Sequence, residues 1–237
     1  MLGTIPVQLE LGHMEMYISK MKTISRLLFS CLILVACTSG KEIHNTEIET
    51  FDETRIEQDG LKKAYFASGC FWCVEAVYES LKGVKESISG YSGGHTKNPT
   101  YQSSNTGRTG HAEAVEIIYD PKVVSFATLV DVYFGSQDPL QLNGQGPDRG
   151  SQYRSIIFYQ SEKEKKIIDQ KKAALEKELG QKVAAEVKAF EKFWVGEDYH
   201  QNYERLHPYN PYIRNVSIPR LNRFKAKFPH LLKEEDH

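Results

Sequence analysis

Between Lys62 and Gly83 the hydrophobic pattern changes its period, and no other stretch limits the fold as much. The run Lys62-Lys63-Ala64-Tyr65-Phe66-Ala67-Ser68-Gly69 reads as a short strand closed by a small-residue turn. Val74, Val77, Tyr78 and Leu81 then fall at i, i+3, i+4 and i+7, and Gly83 is a natural stop, so a helix begins at about Cys70. A strand that feeds directly into an amphipathic helix calls for a sheet with helices packed on it. At the junction stand two cysteines three apart, in Gly69-Cys70-Phe71-Trp72-Cys73.

A thiol in the first turn of a helix meets unpaired backbone N–H groups and the positive end of the helix dipole. Both favour thiolate, lowering the pKa from about 8.5 to roughly 3.5–7.5 in comparable sites. Cys70 is thus the candidate nucleophile and Cys73 its partner. Side chains three apart on a helix have Cβ atoms about 5–6 Å apart, whereas a disulfide wants roughly 3.5–4.5 Å. Closing a bridge therefore needs the first turn to loosen and leaves it easily reduced. A static disulfide and half of a zinc site are the competing uses of such a pair, although no second cysteine pair completes a four-cysteine metal set.

Further along, Val84 to Tyr91 reads as a strand running into the loop Ser92-Gly93-Gly94-His95, and a long polar segment follows to Gly110. Glu113 to Tyr119 is the next strand, and Ser125 caps a helix whose apolar face carries Phe126, Leu129, Val130, Tyr133 and Phe134. Tyr153 to Tyr159 reads as a strand, Ser161 with Glu164 as a capping box for a charged helix ending at Gly180, and Val183 to Phe190 as the last strand. The order predicts an α+β two-layer sandwich: a mixed or antiparallel sheet packed by helices around a ferredoxin-like core. The aromatic, basic tail Tyr199 to His237 is expected to wrap the domain irregularly. No internal repeat is visible.

With 40% hydrophobic and 26% charged residues, and Lys+Arg 30 against Asp+Glu 31, the composition is that of an ordinary globular domain. Basic residues from Glu162 to Lys182 alternate with acidic ones, which makes a solvated helix face and no nucleic-acid footprint. The N-terminus is different. Lys22 and Arg26 form a positive region, Leu27 to Val35 an apolar run too short to span a bilayer, and Ala36 precedes Cys37, as in a secretory signal. Leu34-Val35-Ala36-Cys37 also resembles a bacterial lipobox, whose cysteine is lipidated and becomes the first mature residue; an ordinary signal peptide or a buried apolar segment are the other uses of such a run. Glu10 and Glu15 are out of place ahead of a signal, so Met21 is the expected start. The division expected is an extension and signal over 1–36, a lipidated polar tether over 37–60 and one domain over 61–237, on a membrane surface facing the cell envelope. Cys31 leaves with the signal and Cys37 is modified, which makes Cys70 and Cys73 the free thiols of the mature chain.

Five segments now converge. Gly69-Cys70-Phe71-Trp72, Gly90-Tyr91-Ser92-Gly93-Gly94, Asn98-Pro99-Thr100-Tyr101, Thr109-Gly110-His111-Ala112-Glu113-Ala114-Val115 and Asp148-Arg149-Gly150-Ser151-Gln152-Tyr153-Arg154-Ser155 closely resemble the peptide methionine sulfoxide reductase A family, over about 63–212. The resemblance implies reduction of methionine S-sulfoxide, free or in proteins, with no metal, no bound cofactor and an external dithiol, thioredoxin or a thioredoxin-like protein, as reductant. It implies Glu113 as the acid, which suits a sulfoxide sulfur that is a poor electrophile until its oxygen is protonated or strongly hydrogen-bonded. Desolvation in an apolar pocket would keep that carboxyl protonated. Tyr91 and Tyr153 match the family's hydroxyl donors to the sulfoxide oxygen, Phe71 and Trp72 the walls around the S-methyl group, and Asp148 an acidic residue ordering the loop near the site. Packing is the plain alternative for each aromatic residue. His95, His111 and His200 lack metal-ligand spacing and read as surface or loop residues.

One departure bears on mechanism. Many members have Gly after the Phe-Trp pair and carry recycling cysteines near the C-terminus, but position 73 is Cys and no cysteine follows it. Cys73 is then the internal resolving thiol: Cys70 attacks the sulfoxide, releases methionine and is left as a sulfenic acid, which Cys73 condenses to a disulfide. The rivals are a thioredoxin-like disulfide oxidoreductase, which the pattern around Cys-x-x-Cys does not otherwise match, and a non-catalytic envelope binding module. A monomer is expected.

Overall fold

The computed structural model describes residues 53–234. Cys37, the signal and most of the tether lie outside the described residues. In chain order the elements are α1 (Glu53–Gln58), β1 (Lys62–Ala67), α2 (Phe71–Glu79), β2 (Val84–Ser92), the short α3 (Tyr101–Ser104), β3 (Ala112–Tyr119) and α4 (Phe126–Gly135). After them come β4 (Gly144–Gln145), β5 (Asp148–Arg149), a 3-10 turn Ser151–Tyr153, β6 (Ile156–Tyr159), α5 (Glu162–Leu179), β7 (Glu186–Ala189) and β8 (Phe193–Val195). The tail holds α6 (Tyr203–Leu206), a π-helical turn Ile213–Ser217 and α7 (Ile218–Lys227).

The main sheet has the order β7-β6-β1-β3-β2-β8. Its four inner strands pair antiparallel, β6 with β1, β1 with β3 and β3 with β2, which with α2 and α4 as crossovers is the ferredoxin-like βαββαβ arrangement. β7 adds parallel to β6 and β8 antiparallel to β2, so the sheet is mixed. Strand alternation sorts the faces. Ala64, Phe66, Val115, Ile117 and Tyr119 point to the layer made by α2, α4, α5 and α7, where they meet Val74, Tyr78, Leu129, Tyr133, Ile168 and Phe224. Tyr65, Ala67, Ala112 and Ala114 point the other way, and Tyr65 stacks on Phe190 at 3.7 Å. Fully burying one such aromatic or Leu side chain is worth about 1.5–3 kcal/mol.

Local signals act as the sequence predicts at two caps: the Ser125 hydroxyl accepts the Thr128 N–H at 3.0 Å, and α5 ends on Gly180 at φ +65°. Elsewhere the structure differs. Tyr153 sits in a 3-10 turn and β6 starts only at Ile156; the Val183 to Phe190 segment narrows to β7; and β8, which closes the far edge, was not expected. The tail is not simply irregular. It carries α7, whose Phe224 enters the core, and Arg220, whose guanidinium donates to the Ser68 carbonyl at 3.0 Å, the Ser68 hydroxyl at 3.1 Å and the Ser136 carbonyl at 2.9 Å. The stretch 53–58, assigned to the tether, is helical, and Ile56 is buried against Leu61 and Ile118.

Candidate active site

The turn joining β1 to α2 is built from the sequence it needs. Gly69 has φ +86°, and a Cβ there would meet the Cβ of Gln145 at 2.5 Å, so only glycine fits. Cys70 follows as the N-cap residue of α2, and both it and Cys73 are buried free thiols. The first-turn donor expected to serve the Cys70 sulfur goes elsewhere: the Phe71 N–H donates to Glu113 Oε2 at 3.0 Å. Burial pushes the Cys70 thiol well up, and its hydrogen bond with Cys73 adds to this. The Cys73 thiol moves down, chiefly because it accepts from Cys70, with the positive charge of Arg220 and hydrogen bonds from Ser217 and Tyr212 helping. The expectation of a lowered pKa at Cys70 is thus corrected: of the two thiols it is Cys73 that is shifted down and Cys70 that is shifted up.

Glu113 reaches this turn through strand parity. It shares the helix-facing side of β3 with Val115 and Ile117, is 2% exposed, and lies directly opposite Tyr91 on β2. Burial pushes its carboxyl up to about 8, although the Phe71 N–H pulls the other way. At neutral pH it is therefore a protonated acid beside the N-cap thiol. The Tyr91 hydroxyl donates to Glu197 Oε2 at 2.8 Å, and Tyr101 N–H donates to Glu197 Oε1 at 2.9 Å. Tyr153 stands close enough to Glu113 and Cys70 for their charges, after burial, to raise its phenol. Both tyrosines are accordingly neutral hydroxyls.

Phe71 and Trp72 sit in an aromatic cluster that the tail completes. Trp72 stacks on Tyr203 at 3.8 Å and 8°, and its Nε1–H donates to His200 Nδ1 at 3.1 Å. The His200 ring lies 4.8 Å from Phe71 and 4.6 Å from Tyr101. His95 is exposed, but His200 is 1% exposed and His111 is 3% exposed with its Nδ1 taking the Gly94 N–H, so neither is a surface residue. Burial moves the His200 ring's pKa down, against the pull of Glu197, whose Oε2 lies 3.8 Å from Nε2.

Asp148 lies toward the Cys73 side. Tyr212 OH donates to Asp148 Oδ2 at 2.6 Å and lies 3.7 Å from Cys73 Sγ. The fold thus gathers Phe71, Glu113, Tyr91, Tyr153 and, through Tyr212, Asp148 around the thiol pair. Glu197, Tyr203, Tyr212 and Arg220 belong to the same constellation and had no signal of their own: Glu197 lies just after β8 and the others in the tail, where spacing predicts no partner. His200, read from the sequence as a surface or loop histidine, is buried in the 3-10 turn Asp198–His200.

A βαββαβ domain with a buried Cys-x-x-Cys at the start of its first crossover helix, and a protonated carboxyl hydrogen-bonded to that helix's first turn, defines a thiol-dependent reductase with a built-in acid. The comparisons agree. The family model described as peptide methionine sulfoxide reductase matches residues 62–232. The chain is 45% identical over 173 residues to peptide methionine sulfoxide reductase MsrA of Saccharolobus solfataricus, covering 73% of this chain and 98% of that one. It is 46% identical over 164 residues to MsrA of Nautilia profundicola, covering 69% and 94%. Among solved structures it resembles Mxr1 from Saccharomyces cerevisiae in reduced form, with TM-score 0.62, 31% identity and coverage of 68% of this chain and 91% of that one. It also resembles methionine sulfoxide reductase A of Corynebacterium diphtheriae, with TM-score 0.58, 33% identity and coverage of 66% and 80%. The chain belongs to the peptide methionine sulfoxide reductase family, in its MsrA branch of oxidoreductases acting on the sulfur of methionine S-sulfoxide.

Proposed function

We propose that the chain reduces methionine S-sulfoxide, free and in proteins, through Cys70, Glu113 and Cys73, and that it does so in the cell envelope. The observation that carries the chemical reading is the protonated Glu113 carboxyl held at the same helix turn as the Cys70 thiol. Substrate enters with its S-methyl group against Phe71 and Trp72, and its oxygen toward Glu113, Tyr91 and Tyr153. Tyr91 donates to Glu197 at rest, so it must exchange that acceptor for the sulfoxide oxygen. Cys73 thiolate takes the Cys70 proton, Cys70 Sγ bonds to the sulfoxide sulfur, and Glu113 gives its proton to the oxygen. Breakdown moves the hydroxyl to Cys70 Sγ and releases methionine. The Cys73 thiol then attacks the sulfenic acid, a disulfide forms and water leaves. An external dithiol of the thioredoxin kind reopens the disulfide and restores two thiols.

The envelope placement rests on the sequence from Met21 to Cys37, with lipidation of Cys37 as anchor, 37–60 as the connection and 61–237 as a monomeric catalytic domain. Mass spectrometry of the protein from membranes tests it: an acylated N-terminal Cys37 is expected, and a mature chain that keeps Met1 to Lys20 refutes it.

The catalytic test uses the two epimers of methionine sulfoxide with dithiothreitol. Turnover of the S-epimer alone is expected, and reduction of neither epimer sinks the proposal. Cys70→Ser is expected to be inactive. Cys73→Ser should release about one methionine per enzyme, more slowly, and form no internal disulfide; loss of that first turnover contradicts the roles given to the two thiols.

A further inference from the structure

A cleft of about 780 Å³ opens beside Cys73. Cys73, Asp148, Tyr212, Arg220, Arg223 and Lys227 line it, whereas Cys70, Phe71, Trp72, Tyr91, Glu113 and Tyr153 do not. Cys73 thus faces an opening to whose lining Cys70 does not contribute. The wall from α7 is strongly cationic. Arg220, Arg223 and Lys227 of α7 all line the cleft, in a chain of net charge -1. Arg223 and Lys227 are exposed at the mouth and lie one helical turn apart. Two acids also face the cleft, and both are engaged: Asp148 accepts from Tyr212, and Asp138 Oδ1 accepts the Leu140 N–H.

We propose that this cleft docks the dithiol protein that recycles the enzyme, through an acidic surface on that protein, and that its thiolate attacks Cys73 Sγ and expels Cys70 toward Glu113. This rests on the Cys70–Cys73 disulfide of the proposed function. In the step, the partner's sulfur bonds to Cys73 Sγ, the Cys73–Cys70 bond breaks, and the electron pair goes to Cys70 Sγ. Cys70 leaves as a thiolate and is protonated by Glu113, which has regained from solvent the proton it gave to the sulfoxide oxygen. The partner's second thiolate then attacks its own mixed-disulfide sulfur and releases Cys73 as thiolate, next to Arg220, Ser217 and Tyr212. The partner leaves oxidised and the enzyme holds two reduced cysteines. A cationic wall speeds encounter with an anionic partner, and that gain is screened by salt.

The test reads the two halves of the cycle separately. Wild type and an Arg223→Glu/Lys227→Glu double variant are first given methionine S-sulfoxide without reductant; absence of a Cys70–Cys73 disulfide in wild type at this stage means that the proposed function has failed, apart from the docking idea. The oxidised proteins are then reduced by thioredoxin or by dithiothreitol at 20 and 300 mM NaCl. Expected for thioredoxin is a fall of about tenfold or more in the second-order rate in the double variant at low salt, with the gap closing at high salt, while dithiothreitol changes less than twofold. A thioredoxin variant keeping only its attacking cysteine, acid-quenched and mapped by mass spectrometry, is expected on Cys73. Equal rates for both proteins at both salts, or an adduct on Cys70, overturns the proposal.

Discussion

Replacing Glu113 with Gln should weaken the chemistry and at the same time change how stability depends on pH. The carboxyl ordinarily titrates at 4.5 and is pushed to about 8 by burial. Between those values the unfolded chain gives up the proton and the folded chain keeps it, so the folded state binds more protons and loses stability as pH rises. The sign follows directly: the Glu113 contribution is most favourable below pH 4.5 and falls through the folded pKa near 8. The slope is about 1.4 kcal/mol per pH unit, and the whole interval amounts to about 5 kcal/mol. Gln cannot ionise, and its carbonyl can still accept the Phe71 N–H. Its unpaired amide adds a constant cost of about 1–3 kcal/mol that does not vary with pH. The difference in unfolding free energy between Glu113→Gln and wild type should therefore move in favour of the variant by about 3–4 kcal/mol from pH 4.5 to 7. Glu75, another buried carboxyl pushed to about 8, is present in both proteins and cancels. Urea unfolding of the reduced proteins at half-unit pH steps, followed by far-UV circular dichroism, gives the curves. Parallel curves would refute the claim that Glu113 is a buried, protonated acid. In the same proteins single-turnover methionine release should fall above pH 8 for wild type and be slower, with no such fall, in Glu113→Gln.

Two other perturbations follow from the geometry. Arg220→Met removes three donors from buried oxygens of Ser68 and Ser136 and should cost about 2–4 kcal/mol of unfolding free energy. It should also raise the Cys73 pKa, read as slower alkylation by iodoacetamide at pH 7; unchanged alkylation would remove the Arg220 charge from the thiol's surroundings. His200→Phe keeps a ring in the aromatic cluster but leaves the Trp72 indole N–H without its acceptor. A loss of about 1–2 kcal/mol, or roughly 5–30-fold in kcat/KM for methionine S-sulfoxide, is expected, and unaltered kinetics would mean that Trp72 holds its place without His200.

The pattern of apolar residues was enough for the ferredoxin-like core, because β1, α2, β2, β3, α4 and α5 carry their own periods, caps and stops. The short elements escaped it. β8 is three residues long, and what holds it is the close approach of its backbone to Gly90, where a Cβ would meet the Trp194 carbonyl at 2.3 Å. α7 lacks a side-chain N-cap and is positioned by Phe224 and Arg220, contacts that no local window contains. The same limit applied at the site. Cys70, Cys73 and Glu113 were legible as chemistry-bearing residues in specific motifs, but Glu197, just before the tail, and His200, Tyr203 and Tyr212 within it are ordinary residues until the chain folds back over α2.

By itself the sequence determined which residue types can do the chemistry: two thiols at a strand-to-helix turn and an acid on a strand. Only the tertiary structure decided which way their pKa values move. The helix N-terminus promised a lowered Cys70, but Glu113 takes the first N–H, burial pushes the Cys70 thiol up, and Arg220, far away in the chain, helps to bring the Cys73 thiol down. A pKa depends on which charges and donors lie within a few ångströms, and that is fixed by packing and not by spacing along the chain.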